Sequence, residues 1–144
     1  MLDIGAGLGV ITAALVDVGA SVIAIENHPA RRRALRDRFG TRITLVATDA
    51  RDLRLPRRPY HVVANPPFAI TSDLLRRLVQ PGSHLQSATL LLDERAVGRW
   101  GGPRAPAAAR WRRQFAVDVG PRLPRDALHP APAVPCRVLT ITRR

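Results

Sequence analysis

Short apolar runs alternate with stretches whose apolar residues recur at helical spacing, and the alternation continues along most of the chain. The runs at 20–25, 43–47, 60–64, 87–92, 114–119 and 137–141 predict strands, and Leu2-Asp3-Ile4 predicts a short one ahead of them. Between them, 10–17, 29–38 and 72–79 predict helices. Gly19, Gly40 and Pro81 stop these three, and Pro29 suits a first helical turn. Strand followed by helix, repeated, predicts an α/β fold with a mostly parallel, doubly wound sheet. The stretch 97–110 breaks the rhythm: Gly101-Gly102-Pro103 and an Ala/Pro/Arg run predict a mobile loop there.

In such a sheet ligands bind beyond the carboxyl ends of the strands, so the residue ending each run carries the chemical interest. The first run passes through Asp3-Ile4-Gly5-Ala6-Gly7-Leu8-Gly9 directly into a predicted helix. Glycines let backbone approach a ligand closely. A strict dinucleotide fingerprint, G-x-G-x-x-G, would need glycine at position 10, where this chain has Val10, so the spacing is G-x-G-x-G preceded by an acid. The second run ends in Glu26, a carboxylate placed to accept from ribose hydroxyls. The third is followed by Asp49 and Ala50, and the fourth by Asn65-Pro66-Pro67-Phe68. Any one of these acids alone reads as a solvated loop residue. Three at successive strand ends, with Asn65 at the fourth, point to one shared site.

Asn65-Pro66-Pro67-Phe68 has the groups needed to methylate an exocyclic amine. The lone pair of such a nitrogen is delocalised into its ring, so it must be held by acceptors that aim it at a methyl donor. The Asn65 amide oxygen and the Pro66 carbonyl suit that task, and Phe68 offers a face on which a base can stack. The prolines stiffen the turn and remove their own N–H groups. A plain strand followed by a Pro-rich turn would leave the same four residues.

Asp3-x-Gly5-x-Gly7-x-Gly9 resembles motif I of S-adenosylmethionine-dependent methyltransferases. With Glu26, Asp49 and Asn65-Pro66-Pro67-Phe68, the order resembles the ribosomal RNA adenine-N6 methyltransferases of the Erm and KsgA-like family. The segment Leu128-His129-Pro130-Ala131-Pro132-Ala133-Val134-Pro135-Cys136-Arg137-Val138-Leu139 resembles that family's F-x-P-x-P-x-V-x-S-x-L, with Leu128 for the aromatic and Cys136 for the serine. The Arg-rich stretch from Leu53 to Tyr60 is similar to the Erm branch of high-GC organisms.

The resemblance implies a class I, Rossmann-like methyltransferase fold, three-layered, with an antiparallel last strand. It implies S-adenosyl-L-methionine as cofactor, held by Asp3, Gly5, Gly7, Gly9, Glu26, Asp49, Ala50 and Asn65. In it Asp49 accepts from the cofactor's adenine amino group. Catalysis falls to Asn65, Pro66, Pro67 and Phe68, with Phe115 as an aromatic facing the target base across from the turn; an ordinary core phenylalanine is the competing reading for Phe115. The implied substrate is an adenine of large-subunit rRNA, and the implied consequence is resistance to macrolide, lincosamide and streptogramin B antibiotics. N-P-P-[FY] also occurs in enzymes that methylate guanine N2 or a protein glutamine, and a non-catalytic RNA-binding remnant is a further alternative. Set against the family, 1–144 reads as a single, incomplete catalytic domain without the N-terminal cap segment and the C-terminal helical domain.

Charge agrees with an RNA partner. The chain carries 23 basic residues, all arginine, against 11 acidic ones, a formal charge of +12 that attracts phosphate backbones. GC-rich coding accounts for arginine over lysine but not for the excess over acids. Arg31-Arg32-Arg33 and Arg110-Trp111-Arg112-Arg113 are candidate phosphate contacts, although such runs are more often solvated helix faces. One cysteine and four scattered histidines give no metal-ligand spacing and no disulfide framework, which predicts a metal-free protein of a reducing, cytoplasmic setting. No run reaches the roughly 18 apolar residues of a membrane span. The expected state is a monomer.

Overall fold

Strands buried on both faces can pair in parallel only if helices cover those faces, and that requirement sets the architecture seen in the computed structural model, which describes residues 1–127 and 133–144. The elements run β1 (Leu2–Ile4), α1 (Val10–Asp17), β2 (Val22–Ile25), α2 (Pro29–Phe39), β3 (Ile43–Val46), β4 (Tyr60–Ala64), α3 (Thr71–Leu78), β5 (Leu85–Asp93), α4 (Glu94–Gly101), α5 (Ala108–Trp111), β6 (Phe115–Leu123) and β7 (Cys136–Arg143). They form one seven-stranded sheet in the order β3-β2-β1-β4-β5-β7-β6. β1 to β5 pair in parallel, and β7 inserts antiparallel to both β5 and β6, as expected for the last strand.

The chain reverses direction across the sheet at β1. It first builds outward through β2 and β3, then returns to place β4 on the other side of β1. That reversal opens a crevice at the carboxyl ends of β1 and β4, where two crossovers leave in opposite directions.

Two apolar clusters fix the layers. On one face α3 buries Leu74, Leu75 and Leu78 against Val62, Ala64, Leu85 and Leu90, and Trp100 of α4 joins the same cluster. On the other, Leu35 and Phe39 of α2 pack on Ala6 and Ala24. α2 starts with Pro29 at its first positions and ends at Gly40, so its boundaries follow local chemistry.

The stretch expected to be a mobile loop is instead two short helices. The Asp93 carboxylate caps α4 by accepting from the Ala96 amide at 2.9 Å. Trp100 and Trp111, 1% and 2% exposed, then meet at 6.3 Å between ring centroids with a 34° tilt. The Trp111 indole donates to the Pro106 carbonyl at 2.8 Å, and Arg112 donates to the Gly101 and Gly102 carbonyls. Two buried indoles hold a glycine- and proline-rich segment that local propensity alone would leave open. No helix among the described residues is long and apolar enough to cross a membrane.

Candidate active site

The glycine loop after β1 is pinned to the end of β2, because the Gly5 and Ala6 amides both donate to the Ile25 carbonyl at 2.9 and 3.0 Å. The chain then turns into α1 through Gly9. A side chain there is blocked twice: φ is +83°, and a Cβ would lie 2.6 Å from a Phe39 ring carbon and 2.7 Å from a Leu35 methyl. Gly9 therefore serves the packing of α1 on α2. Gly5 plays the other part, since a Cβ on it would reach Pro67 Cδ at 3.4 Å, which puts the glycine loop against the Asn65-Pro66-Pro67-Phe68 turn.

Glu26, 6% exposed, is fixed by backbone donors at both oxygens. The Gly7 amide donates to Oε2 and the His28 amide to Oε1, each at 2.8 Å. Charge-assisted bonds of this kind orient a carboxylate rigidly. Asp49 forms a local turn in which its Oδ1 accepts from the Arg51 amide at 2.8 Å.

Asp3 is fully buried behind the loop. The Thr12 hydroxyl donates to its Oδ2 at 2.6 Å, while Oδ1 is buried without a hydrogen-bond partner. Burial pushes its pKa up to about 6; the Thr12 hydroxyl and amide pull it back part of the way, and the neighbouring Glu26 charge adds to the rise. Sequence reasoning missed Thr12. Its only signal was a lone polar side chain in the otherwise apolar start of α1.

The turn after β4 uses one of its acceptors and leaves two free among the described residues. The Pro67 carbonyl takes the Ile70 amide at 3.1 Å and the Thr71 hydroxyl at 3.4 Å. Neither the Pro66 carbonyl nor the exposed Asn65 side chain is bonded among the described residues. Phe68 is 48% exposed.

Together these elements wall a cleft of about 450 Å³, lined by Gly5, Glu26, Asp49, Ala50, Asn65, Pro66, Pro67 and Phe68 among others. That volume falls within the range of small-molecule sites. Asn27, Arg31, Thr48 and Arg51 share its wall, and the sequence had not singled them out as cleft residues apart from Arg31 within its basic run. The lining suits a nucleoside: carboxylates at the neighbouring tips of β2 and β3, and a glycine loop after β1 between Glu26 and the Asn65 turn. Asp3, Gly7 and Gly9 do not line the cleft; Gly7 meets it through its bond to Glu26.

Phe115 is not part of it. It opens β6 opposite Arg143, and Arg143 in turn donates to the Leu85 carbonyl where β5 begins, so Phe115 lies at the amino end of the parallel strands. It is 1% exposed, with the Arg143 guanidinium 4.7 Å over its ring. Strand polarity, which a phenylalanine in an apolar run does not reveal, makes it a core residue. Trp111 is likewise buried, so in Arg110-Trp111-Arg112-Arg113 Arg110 and Arg113 are exposed and Arg112 is half-buried. In the other basic run Arg31 reaches the cleft and Arg32 donates to the Asn27 carbonyl at 2.5 Å. Positions 128–132 of the proline-rich segment lie outside the described residues.

The family model described as ribosomal RNA adenine dimethylase matches residues 1–144. Mycinamicin-resistance protein MyrB of Micromonospora griseorubida is 36% identical over 148 residues, covering 100% of this chain and 47% of its own length. An rRNA adenine N-6-methyltransferase of Corynebacterium diphtheriae is 29% identical, covering 99% of this chain and 57% of its own length. The ribosomal RNA small subunit methyltransferase A of Anaeromyxobacter dehalogenans is 33% identical, covering 96% and 56%. The chain thus spans about half the length of these curated relatives. The crystal structure of the 23S rRNA methyltransferase ErmE superposes with a TM-score of 0.86 at 23% identity, covering 99% of this chain and 60% of that one, and so shares its fold.

Proposed function

The chain belongs to the ribosomal RNA adenine dimethylase family, and from that premise we propose that it transfers methyl groups from S-adenosyl-L-methionine to the exocyclic N6 of an adenine in 23S rRNA. The observation that carries the proposal is the meeting, in one cleft, of Glu26 and Asp49 with a turn whose Asn65 side chain and Pro66 carbonyl are unbonded. The resistance named for the Micromonospora relative supports large-subunit rRNA and, with it, macrolide, lincosamide and streptogramin B resistance.

Glu26 holds the ribose hydroxyls on an already fixed carboxylate, so little reorganisation accompanies binding. Asp49 accepts from the adenine amino group beside Ala50. The glycine loop, backed by Asp3, lets backbone approach the methionine end. When bound, the cofactor supplies an electrophilic methyl group on a sulfonium. Phe68 stacks on the target base once it has left its RNA stack. Asn65 Oδ1 and the Pro66 carbonyl then accept from its amino group and turn the nitrogen lone pair toward the cleft. The amine becomes strongly acidic as it is methylated and releases its proton to solvent, so no dedicated base is required. Rate comes from orientation and fixed dipoles. The arginine excess holds the RNA backbone, and the protein acts as a monomer without metal.

Calorimetric titration with S-adenosylmethionine and its demethylated product tests the cleft, with binding expected near micromolar, roughly 8 kcal/mol. Asn65→Ala is expected to keep cofactor affinity within about twofold and to lower methyl transfer to rRNA by about 10²–10³-fold. Undiminished turnover in that variant refutes the role of Asn65. Transfer to small-subunit rRNA in preference to 23S rRNA overturns the substrate while leaving the chemistry intact.

A further inference from the structure

We propose that Arg77 is a positioning residue that clamps the loop carrying Asp49, and so fixes the adenine end of the cofactor cleft from the helix that follows the Asn65-Pro66-Pro67-Phe68 turn. The inference rests on the methyltransferase reading above. Residues 48–58 cross between β3 and β4 without regular structure. Arg77, on the last turn of α3, spreads its guanidinium over this loop. Nη1 donates to the Ala50 carbonyl at 2.8 Å and to the Arg51 carbonyl at 2.7 Å, and Nη2 donates to the Leu53 carbonyl. Among the described residues these are the only hydrogen bonds that tie 48–58 to an element outside it.

The choice of residue is physical. One planar guanidinium presents several donors at fixed angles and can bridge carbonyls from successive residues, whereas an ammonium is a single point. Among the described residues no carboxylate pairs with Arg77. Its charge rests on carbonyl dipoles, an arrangement that holds backbone rather than a partner side chain. Leu53, 7% exposed in the core, keeps the loop docked without Arg77, so losing the clamp loosens the 49–51 segment more than it unfolds the chain. α3 begins directly after the short 3-10 turn Phe68–Ile70. One helix therefore carries the base-holding turn at its start and the adenine loop's clamp at its end.

Two readouts test this on the full chain. The first is trypsin cleavage in the ligand-free protein at Arg51, Arg54 and Arg57, all exposed. Arg77→Met is expected to speed cleavage several-fold, with Arg77→Lys in between; an unchanged rate overturns the clamp. The second compares S-adenosylhomocysteine with S-inosylhomocysteine, which lacks the amino group assigned to Asp49. Arg77→Met is expected to weaken the adenosyl ligand about tenfold and to leave the inosyl ligand within about twofold, as loss of a hydrogen bond to a charged acceptor would do. Arg77→Lys should recover part of that loss, and in an Asp49→Ala background Arg77→Met should change neither ligand. Equal weakening of both ligands, or of neither, overturns the positioning role. Failure of the wild-type chain to bind either ligand overturns the methyltransferase reading and this role with it, while the cleavage rates still judge the clamp on its own.

Discussion

At the amino ends of the parallel strands Phe115 lies under the Arg143 guanidinium, which in turn donates to the Leu85 and Ser83 carbonyls. Tyr60 beside them is buried with its hydroxyl 3.4 Å from Ser83 Oγ, and burial holds its pKa above the ordinary phenol value. At the carboxyl ends of the same strands Phe68 is half exposed and, among the described residues, the Asn65 side chain and the Pro66 carbonyl are unbonded and one oxygen of Asp3 is buried without a partner. The residue types are alike, but their surroundings are opposite. One end uses its aromatic and polar groups on each other and gains stability; the other holds them ready for something else, which costs stability.

The largest expected effect separates the two phenylalanines. Phe115→Ala removes a fully buried ring and its contact with the Arg143 guanidinium, and should lower unfolding free energy by about 3–5 kcal/mol in a denaturant titration. Whatever protein remains folded should bind cofactor as the wild type does. Phe68→Ala should leave stability within about 0.5 kcal/mol yet weaken the RNA complex by about 1–3 kcal/mol through lost stacking. If Phe115→Ala instead spared stability and weakened RNA binding, the contrast between the two ends would collapse.

Much of the carboxyl end was legible in sequence because parallel strands buried on both faces leave compact apolar runs, and the residue after each run falls at the sheet's functional edge. Thus 60–64 and 10–17 match β4 and α1, and Glu26, Asp49 and Asn65 meet in one cleft. β6 and β7 extend past their apolar runs because antiparallel pairing continues into polar residues such as Arg122 and Arg143. What stayed hidden depends on direction or distance. Phe115 opens a strand that runs in the same direction as β5 on the far side of β7, so it starts at the amino end, and nothing in an isolated apolar run states that. The helices at 94–101 and 108–111 are held by two indoles eleven residues apart, which no local propensity encodes. Arg77 acts on carbonyls 24 to 27 residues away, and backbone partners leave no mark in the sequence.

Asp3 gives the smallest effect and the sharpest probe of stability withheld at the functional end. Its folded pKa of about 6 lies above the ordinary 3.8, so the folded state holds the proton more tightly than the unfolded chain does. The sign follows: this group favours folding while protonated, and its contribution is lost as pH rises from about 4 to about 6, leaving the ionised form disfavoured by up to about 3 kcal/mol. Asp3→Asn should therefore match the wild type near pH 4 and exceed it by about 1–3 kcal/mol near pH 8, because its amide stays neutral but still leaves one buried polar group unpaired. The measurement is the difference between paired denaturant titrations across that range, in which the titration of acids remote from Asp3 cancels. On the proposed reading, in which the glycine loop meets the methionine end, the same variant should bind S-adenosylmethionine more weakly, since the Asp3 carboxylate backs that loop. A difference that is flat with pH would mean that Asp3 carries no buried charge. A variant both more stable and equally tight for cofactor would mean that the unpartnered oxygen serves nothing, and the contrast between the two ends of the sheet would then rest on Phe68 and Asn65 alone.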